Sequence, residues 1–160
     1  MAKGIFRSDN CSYTHDGAKI KTGVAYGEVQ NGAPIKKGDL VATGVFSGER
    51  EVYTTSAATD ANAADVLVVT SVEVSYEAGQ SVLGTFTNAS GSIVRMSQME
   101  KGDIFSIGGD VVSGTPSATN KYIAAGNGVW TVGSTTTKAF AKYLNTETYN
   151  GLTIYGYEVL

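Results

Sequence analysis

The chain repeats one short pattern, first as Ile35-Lys36-Lys37-Gly38-Asp39-Leu40-Val41-Ala42-Thr43-Gly44 and again as Met99-Glu100-Lys101-Gly102-Asp103-Ile104-Phe105-Ser106-Ile107-Gly108. Both copies carry an apolar residue shortly before Lys-Gly-Asp, two apolar residues after it and a closing glycine. Glycine supplies the positive φ that a tight turn needs, and aspartate can accept a hydrogen bond from the backbone just ahead. We therefore predict that each copy is a corner turn that launches a strand.

The composition favours strands joined by turns over helices. The 160 residues are enough for one domain with its own core, and they include 20 glycines and 9 tyrosines but only 17% charged residues. Candidate strands recur about every 10 residues, a rhythm typical of antiparallel sandwiches and small barrels. The predicted fold class is all-β: a small antiparallel β-barrel or sandwich with at most one short helix.

The predicted organisation is an N-terminal arm over residues 1–18 and a single β domain over residues 19–160. The arm is polar and punctuated by turn-forming residues, so we interpret it as loosely held. A subdivision of the β domain near residues 108–121 stays open, because a loop rich in Ser, Gly, Thr and Pro lies there.

Local signals place the strands and turns more closely. Alternation of Val72, Val74 and Tyr76 with polar residues makes residues 66–76 the strongest strand prediction. Gly126-Asn127-Gly128 predicts a hairpin, and the alanine-rich residues 56–65 predict either one or two turns of helix or an irregular loop. The remaining predicted strands cover residues 20–29, 40–46, 52–53, 82–86, 93–96, 122–125, 129–132 and 152–160, with residues 140–144 as a strand or a short helix.

Charge and targeting signals exclude some classes of partner. The net charge is −3 and the twelve Lys and Arg residues are scattered, so no basic stripe predicts direct binding to nucleic acid. No apolar run approaches the roughly 20 residues needed to span a membrane, and no secretory h-region follows the first residues. We therefore expect a protein made in a cytoplasm, either kept there or incorporated into a particle assembled there, with no membrane partner.

The sequence offers few groups for catalysis or metal binding. The single cysteine, Cys11, and the single histidine, His15, form a conceivable nucleophile pair, but they lie in a polar stretch without the flanking signature of a cysteine hydrolase. Two nitrogen or sulfur ligands fall short of a zinc site. Residues 60–65 lack the glycine of a calcium loop of the EF-hand type, which leaves only an irregular calcium site or a solvated loop. We predict no enzyme, cofactor or metal.

The C-terminal third is aromatic. Core packing and cross-strand pairs account for most such residues in β proteins, and a carbohydrate or protein contact surface is the alternative. The aromatic residues are Trp130, Tyr122, Tyr143, Tyr149, Tyr155 and Tyr157.

The sequence resembles a family of phage proteins over Ala89-Ser90-Gly91-Ser92-Ile93-Val94-Arg95-Met96 and Lys101-Gly102-Asp103-Ile104-Phe105-Ser106-Ile107. These stretches are similar to capsid decoration (auxiliary, or head-stabilising) proteins of tailed bacteriophages, in which a glycine, a Val-Arg pair and a Gly-Asp-x-Phe turn follow in similar order. Residues 31–41 similarly resemble the turn that opens the first barrel segment of such proteins.

The resemblance implies a structural virion protein. Such a protein binds the outer surface of an assembled capsid, bridges adjacent major capsid subunits and could itself form a homo-oligomer such as a trimer. By the same resemblance, the arm would order on the capsid, with Lys3, Ile5, Phe6 and Arg7 as candidate contact residues. The alternatives are a head-fibre or tail adhesin that binds host-surface glycans through the tyrosine-rich end, and a small enzyme that uses Cys11 and His15.

Overall fold

A computed structural model describes residues 2–48, 50–59, 62–73 and 84–160, and these residues form an all-β protein. The strands are short, two to nine residues, and six of them end at or just before a glycine or an asparagine. The strands are β1 (Ile5–Asn10), β2 (Ile20–Val24), β3 (Pro34–Leu40), β4 (Val52–Ala57), β5 (Val66–Val69), β6 (Ile93–Ser97), β7 (Ile104–Gly108), β8 (Val112–Ser113), β9 (Tyr122–Gly126), β10 (Val129–Gly133), β11 (Ala141–Tyr149) and β12 (Leu152–Val159).

The first half of the chain closes into a five-stranded barrel. Its strand order is β2-β4-β3-β5-β6, with β6 returning to pair with β2. The pair β2–β4 is parallel and the other pairs are antiparallel. Closure leaves the barrel strands without a free edge.

Strand β1 and the six strands after the barrel build a seven-stranded sheet in the order β1-β7-β12-β11-β9-β10-β8. The predicted all-β class and small barrel are confirmed, and the described residues contain no helix longer than a three-residue 3-10 turn. These turns lie at Ser12–Thr14, Gly17–Lys19, Ala63–Asp65 and Gly109–Val111. In the described part of the chain, no helix has the length and apolar character of a membrane span.

One hydrophobic core joins the barrel to the sheet. It contains Ile35 and Met96 from the barrel together with Phe105, Trp130 and Tyr157 from the sheet. The indole Nε1 of Trp130 also donates a hydrogen bond of 2.7 Å to the carbonyl of Gly32, which lies between β2 and β3. The chain passes from barrel to sheet between Ser97 and Ile104, ahead of the loop at residues 108–121.

The two Lys-Gly-Asp stretches differ in structure. The second is a turn: Gly102 has φ +91°, and the N–H of Asp103 donates to Glu100 O just before β7. The first lies inside β3, which is extended: Ile35 and Lys36 pair with both β4 and β5, and Lys37 and Leu40 pair with β4. A register shift against β4 between Lys37 and Leu40 accommodates Gly38 and Asp39. The prediction of a corner turn is confirmed for the second copy and wrong for the first.

The first 18 residues are not a loose arm. Residues Ile5–Asn10 form β1, an antiparallel neighbour of β7 at one edge of the sheet. Ile5 has no exposed surface, Phe6 stacks against Phe105 with ring centroids 6.0 Å apart, and Cys11 and Tyr13 are buried. These apolar side chains give the segment enough contact area to dock, which the interpretation as a polar arm overlooked.

Several local predictions are confirmed. The hairpin at Gly126-Asn127-Gly128 joins β9 to β10, with φ +51° at Asn127 and φ +77° at Gly128. The turn before β6 has φ +77° at Gly91, and the C-terminal strand is β12, paired with both β7 and β11. Residues 140–144 are continuous with β11 rather than helical.

Other local predictions fail or lie outside the described residues. Strand β5 ends at Val69, and the exposed Val72 lies beyond it in non-strand backbone. Residues 40–46 leave the strand at Leu40. Residues 56–65, predicted as one or two helical turns or an irregular loop, begin with the end of β4 and contain the Ala63–Asp65 turn in their described part. The parts of these predictions at residues 60–61, 74–76 and 82–83, and the predicted turn at residues 77–80, lie outside the described residues.

Candidate functional site

The four candidate contact residues lie at the start of the chain but have different environments. Lys3 precedes β1, and its Nζ forms a 3.1 Å ion pair with Glu28 at the surface. Phe6 and Arg7 point to opposite faces of β1, Phe6 towards the aromatic core and Arg7 away from it. Ile5 is completely buried, so it cannot contact a partner of the folded chain, and we remove it from the candidates.

Arg7 begins a row of residues that crosses four strands. Arg7 pairs in register with Ser106 on β7, Ser106 with Gly156 on β12, and Gly156 with Asn145 on β11. Side chains of paired residues share one face of a sheet. The row is therefore a single strip across the sheet face, and we call it the Arg7 row.

Gly156 leaves the space that the Arg7 row needs. A Cβ on Gly156 would collide with Oδ1 of Asn145, and it would also lie 3.7 Å from the hydroxyl of Ser106. Because glycine has no side chain, the amide of Asn145 can lie against β12 beside Ser106. A glycine in mid-strand often marks such a close approach.

Two carboxylates hold the guanidinium of Arg7. Its Nε donates to Asp9 Oδ1 at 2.6 Å, and its Nη2 donates to Glu147 Oε2 at 2.8 Å. Hydrogen bonds from Arg7 and from Asn145 lower the pKa of Glu147, and the bonds to Glu147 and Asp9 raise the pKa of Arg7. The guanidinium also lies 5.2 Å from the ring centroid of Tyr149. Arg7 is therefore fixed in one orientation while still partly exposed.

The outer half of β11 beside this row is an open strand edge. Strand β9 pairs with β11 only at Ala141 and Lys142. From residue 145 to residue 149, β11 pairs on its other side with β12, and residues 144–149 have no strand partner on this side among the described residues. Leu144 and Tyr149 are 44% and 39% exposed. We call residues 144–149 the β11 edge.

The structure does not unite all the predicted contact residues. Arg7 lies beside the β11 edge through Glu147 and Tyr149, whereas Lys3 pairs with Glu28 instead. The sequence analysis did not single out Asn145 or Glu147. Their alternation at positions 145, 147 and 149 was the available signal, because period-two spacing puts such residues on one face of a strand.

Cys11 and His15 do not form a nucleophile pair of the usual kind. The Cys11 thiol is buried and donates to the carbonyl of Ile104 at 3.2 Å, whereas His15 is exposed. Burial, followed by the nearby charge of Asp103, raises the pKa of Cys11 from 9.0 to about 12. A thiol in this environment stays protonated at neutral pH, so it is a poor nucleophile.

We expect Cys11 of the folded chain to resist alkylation. At pH 8, iodoacetamide should react at least about 100-fold more slowly with the folded chain than with the urea-unfolded chain, because the thiolate is scarcer and the sulfur is buried. The folded chain also keeps a proton that the unfolded chain releases above pH 9. The unfolding free energy should therefore fall as the pH rises from 9 towards 12. Equal alkylation rates in both states would contradict the described environment.

The other predicted sites gain no support from the described residues. Those residues contain no group of three or more His, Cys, Asp or Glu side chains that could hold a metal ion, and part of the candidate calcium stretch, residues 60–61, lies outside them. Trp130 and Tyr157 are completely buried. Most of the C-terminal aromatic residues therefore serve the core, and Tyr149 is the most exposed of those named above.

Comparison of the chain with models of protein families, with curated proteins and with solved structures found no match. The resemblance to capsid decoration proteins, carried by residues 89–96 and 101–107, therefore stays a prediction.

Proposed function

We propose that this protein is a structural virion protein that binds the outer surface of an assembled phage capsid and stabilises the capsid by bridging major capsid subunits. The resemblance at residues 89–96 and 101–107 supports the class of protein. The β11 edge is the observation that carries the binding role, because it offers a partner a strip of backbone groups that no described strand pairs with, in a long strand beside Arg7.

An open strand edge either pairs with a partner or carries features that prevent pairing with other chains. Proteins that live alone in solution usually protect such edges with lysine, proline, a bulge or a covering segment. The β11 edge, Leu-Asn-Thr-Glu-Thr-Tyr, contains neither lysine nor proline. A register shift lies only at its start, between Tyr143 and Asn145, and beyond it the threonines and tyrosine favour extended backbone. These properties suit strand addition by a partner, either the capsid lattice or another copy in a homo-oligomer such as a trimer.

Stabilisation of the capsid would follow from mass action. A ligand that binds only the assembled lattice stabilises that lattice by RT ln(1 + [L]/Kd). Such stabilisation requires neither an active site nor a cofactor. It also requires no binding to nucleic acid, which agrees with the scattered positions of the lysines and arginines. In this proposal, Arg7 contacts the capsid beside the β11 edge, and Lys3 and Phe6 lie near the same end of β1.

Co-sedimentation with purified capsids tests the proposal. We expect saturable, stoichiometric binding to assembled capsids and a lower capsid melting temperature when the protein is removed. Arg7→Gln should weaken binding about tenfold or more, because arginines at interface centres often dominate binding energy. Lys101→Gln is the matched control, since Lys101 is an exposed lysine in the turn before β7 and lies outside the Arg7 row.

Two outcomes would oppose the proposal. Absence of lattice binding, together with binding to host cells or their glycans, would favour the adhesin alternative. Equal binding by the Arg7→Gln and Lys101→Gln variants would remove the Arg7 row from the contact surface. Circular dichroism of each variant separates lost contacts from lost folding, and exposed ion pairs such as those of Arg7 contribute little to stability.

A further inference from the structure

Two lysines occupy inward-facing positions at one end of the barrel. Lys21 on β2 pairs in register with Met96, and Gly23, two residues later, pairs with Val94. Met96 and Val94 have no exposed surface, so the Cβ of Lys21, which shares their face, lies on the interior face of the barrel. Lys37 on β3 lies two residues after the buried Ile35 and therefore begins on the same interior face.

These lysines meet at a cleft at the barrel end, the barrel mouth. The cleft has a volume of about 210 Å³ and is also lined by Lys36, Leu67, Asp65 and Gln98. It forms because β5 and β6 pair only at Val68–Ser97 and Val69–Met96, which leaves the start of β5 apart from the residues after β6. The mouth therefore combines an apolar wall with long cationic side chains.

The ammonium groups at the barrel mouth lack carboxylate partners among the described residues. The ion pairs of the described residues involve Lys3, Arg7 and Lys19, and none involves Lys21, Lys36 or Lys37. The Nζ of Lys37 lies 4.0 Å from the ring centroid of Tyr53 on β4, a cation–π contact that leaves the ammonium without a carboxylate partner. Three lysines against the single carboxylate of Asp65 leave the described lining positively charged.

From this arrangement we propose that the barrel mouth binds a small oxyanion, a phosphate or a carboxylate. Lys21 and Lys37 would donate charge-assisted hydrogen bonds, and the side-chain amide of Gln98 would supply a further donor. A concave site with a low-dielectric wall concentrates the field of its charges, which favours an anion inside it over one on the open surface. This site is separate from the Arg7 row and does not depend on the proposed capsid role.

A simpler role for the lysines makes a different prediction. Lysines can extend their amines to water from an apolar barrel end without binding anything. In that case any lysine-to-glutamine change would leave anion binding unaffected, and the affinity for every anion would follow ionic strength alone.

Titration of the full chain with sodium phosphate and with sodium succinate, against sodium chloride at equal ionic strength, tests the site. We expect saturable shifts of the backbone amide resonances at residues 21, 37 and 67 with at least one of the two anions. Binding of phosphate alone would identify a phosphate-bearing ligand, and binding of succinate as well would extend the ligand to carboxylates. Calorimetry would give the affinity.

Lysine variants distinguish a specific anion site at the barrel mouth from a general attraction of anions to the positive charge of the surface. Lys21→Gln and Lys37→Gln should each weaken binding about tenfold, the loss expected for one charge-assisted hydrogen bond. Lys21→Arg should retain binding, and Lys142→Gln, an exposed lysine on β11, should match the unaltered protein. Absence of saturable binding, or an equal loss in Lys142→Gln, would overturn the proposal.

Discussion

Replacement of Trp130 by alanine should lower the free energy of unfolding by about 3–5 kcal/mol, the range for deletion of a large buried aromatic side chain. The ring has no exposed surface, and its centroid lies 4.8 Å from that of Phe140 in the hydrophobic core. The cavity left by alanine would lie where the sheet meets the barrel. Both halves of the fold should therefore lose stability together.

A second contribution comes from the hydrogen bond between Trp130 and Gly32. The carbonyl of Gly32 accepts the indole N–H, and the N–H of Gly32 donates to Val69 O at 2.8 Å. Gly32 adopts φ +80° in this barrel turn. The hydrogen bond from the indole of Trp130 links the turn to the sheet. Trp130→Phe keeps most of the ring but leaves that carbonyl without its donor, which should cost about 1–3 kcal/mol.

Urea unfolding followed by far-ultraviolet circular dichroism measures both variants. Fluorescence is unsuitable, because Trp130 is the only tryptophan in the chain. Val45→Ala is a control, since Val45 is 93% exposed and its loss should change stability by less than about 0.5 kcal/mol. A Trp130→Ala loss no larger than that of Trp130→Phe would contradict the described packing.

The features that could be predicted from the sequence are those fixed by neighbouring residues. The Gly126-Asn127-Gly128 hairpin depends on two residues that adopt positive φ, and asparagine and glycine do so readily. The turn at Gly102 depends on the same local chemistry. The all-β class follows from composition, which sums many such local preferences.

The features that were missed depend on contacts between distant residues. Residues 5–10 become a strand because β7, about a hundred positions later, pairs with them. The first Lys-Gly-Asp stretch is extended because it continues β3, whose residues on both sides of it pair with β4, whereas the second has a turn that the N-terminal segment stabilises. Two stretches of similar sequence therefore adopt different backbone conformations, because they have different neighbours in the fold.

The candidate sites show the same division. The resemblance to a family suggested Arg7 as a contact residue. The strand order, which the sequence does not reveal, places Glu147 and Asn145 beside it and leaves room at Gly156. The lysines looked scattered because positions 21, 36 and 37 meet only after the barrel closes. No periodic pattern in the sequence connects β2 with β3, so topology alone brings these charges together.

The aspartates of the two Lys-Gly-Asp copies should differ sharply in their contribution to stability. Asp103 is buried, and its carboxylate accepts hydrogen bonds from Ser12 N at 3.0 Å, Ser12 Oγ at 2.9 Å and Glu100 N at 2.9 Å. Asp103→Ala would leave these donors without their acceptor, which should cost about 2–4 kcal/mol. Asp39 is exposed, and its carboxylate forms no hydrogen bond or ion pair within the described residues.

Asp39→Ala is therefore a matched control within the same sequence pattern, with an expected change of less than about 0.5 kcal/mol. Asp103→Asn should fall between the two, because the amide keeps one acceptor oxygen but turns an N–H group towards donors. Urea unfolding at pH 7 measures the stabilities, and hydrogen exchange at the amides of Ser12 and Glu100 reports the local effect. Equal losses from Asp39→Ala and Asp103→Ala would show that the second turn does not hold the N-terminal segment. The expected inequality would make Asp103 the residue through which that turn fastens β1 to the sheet.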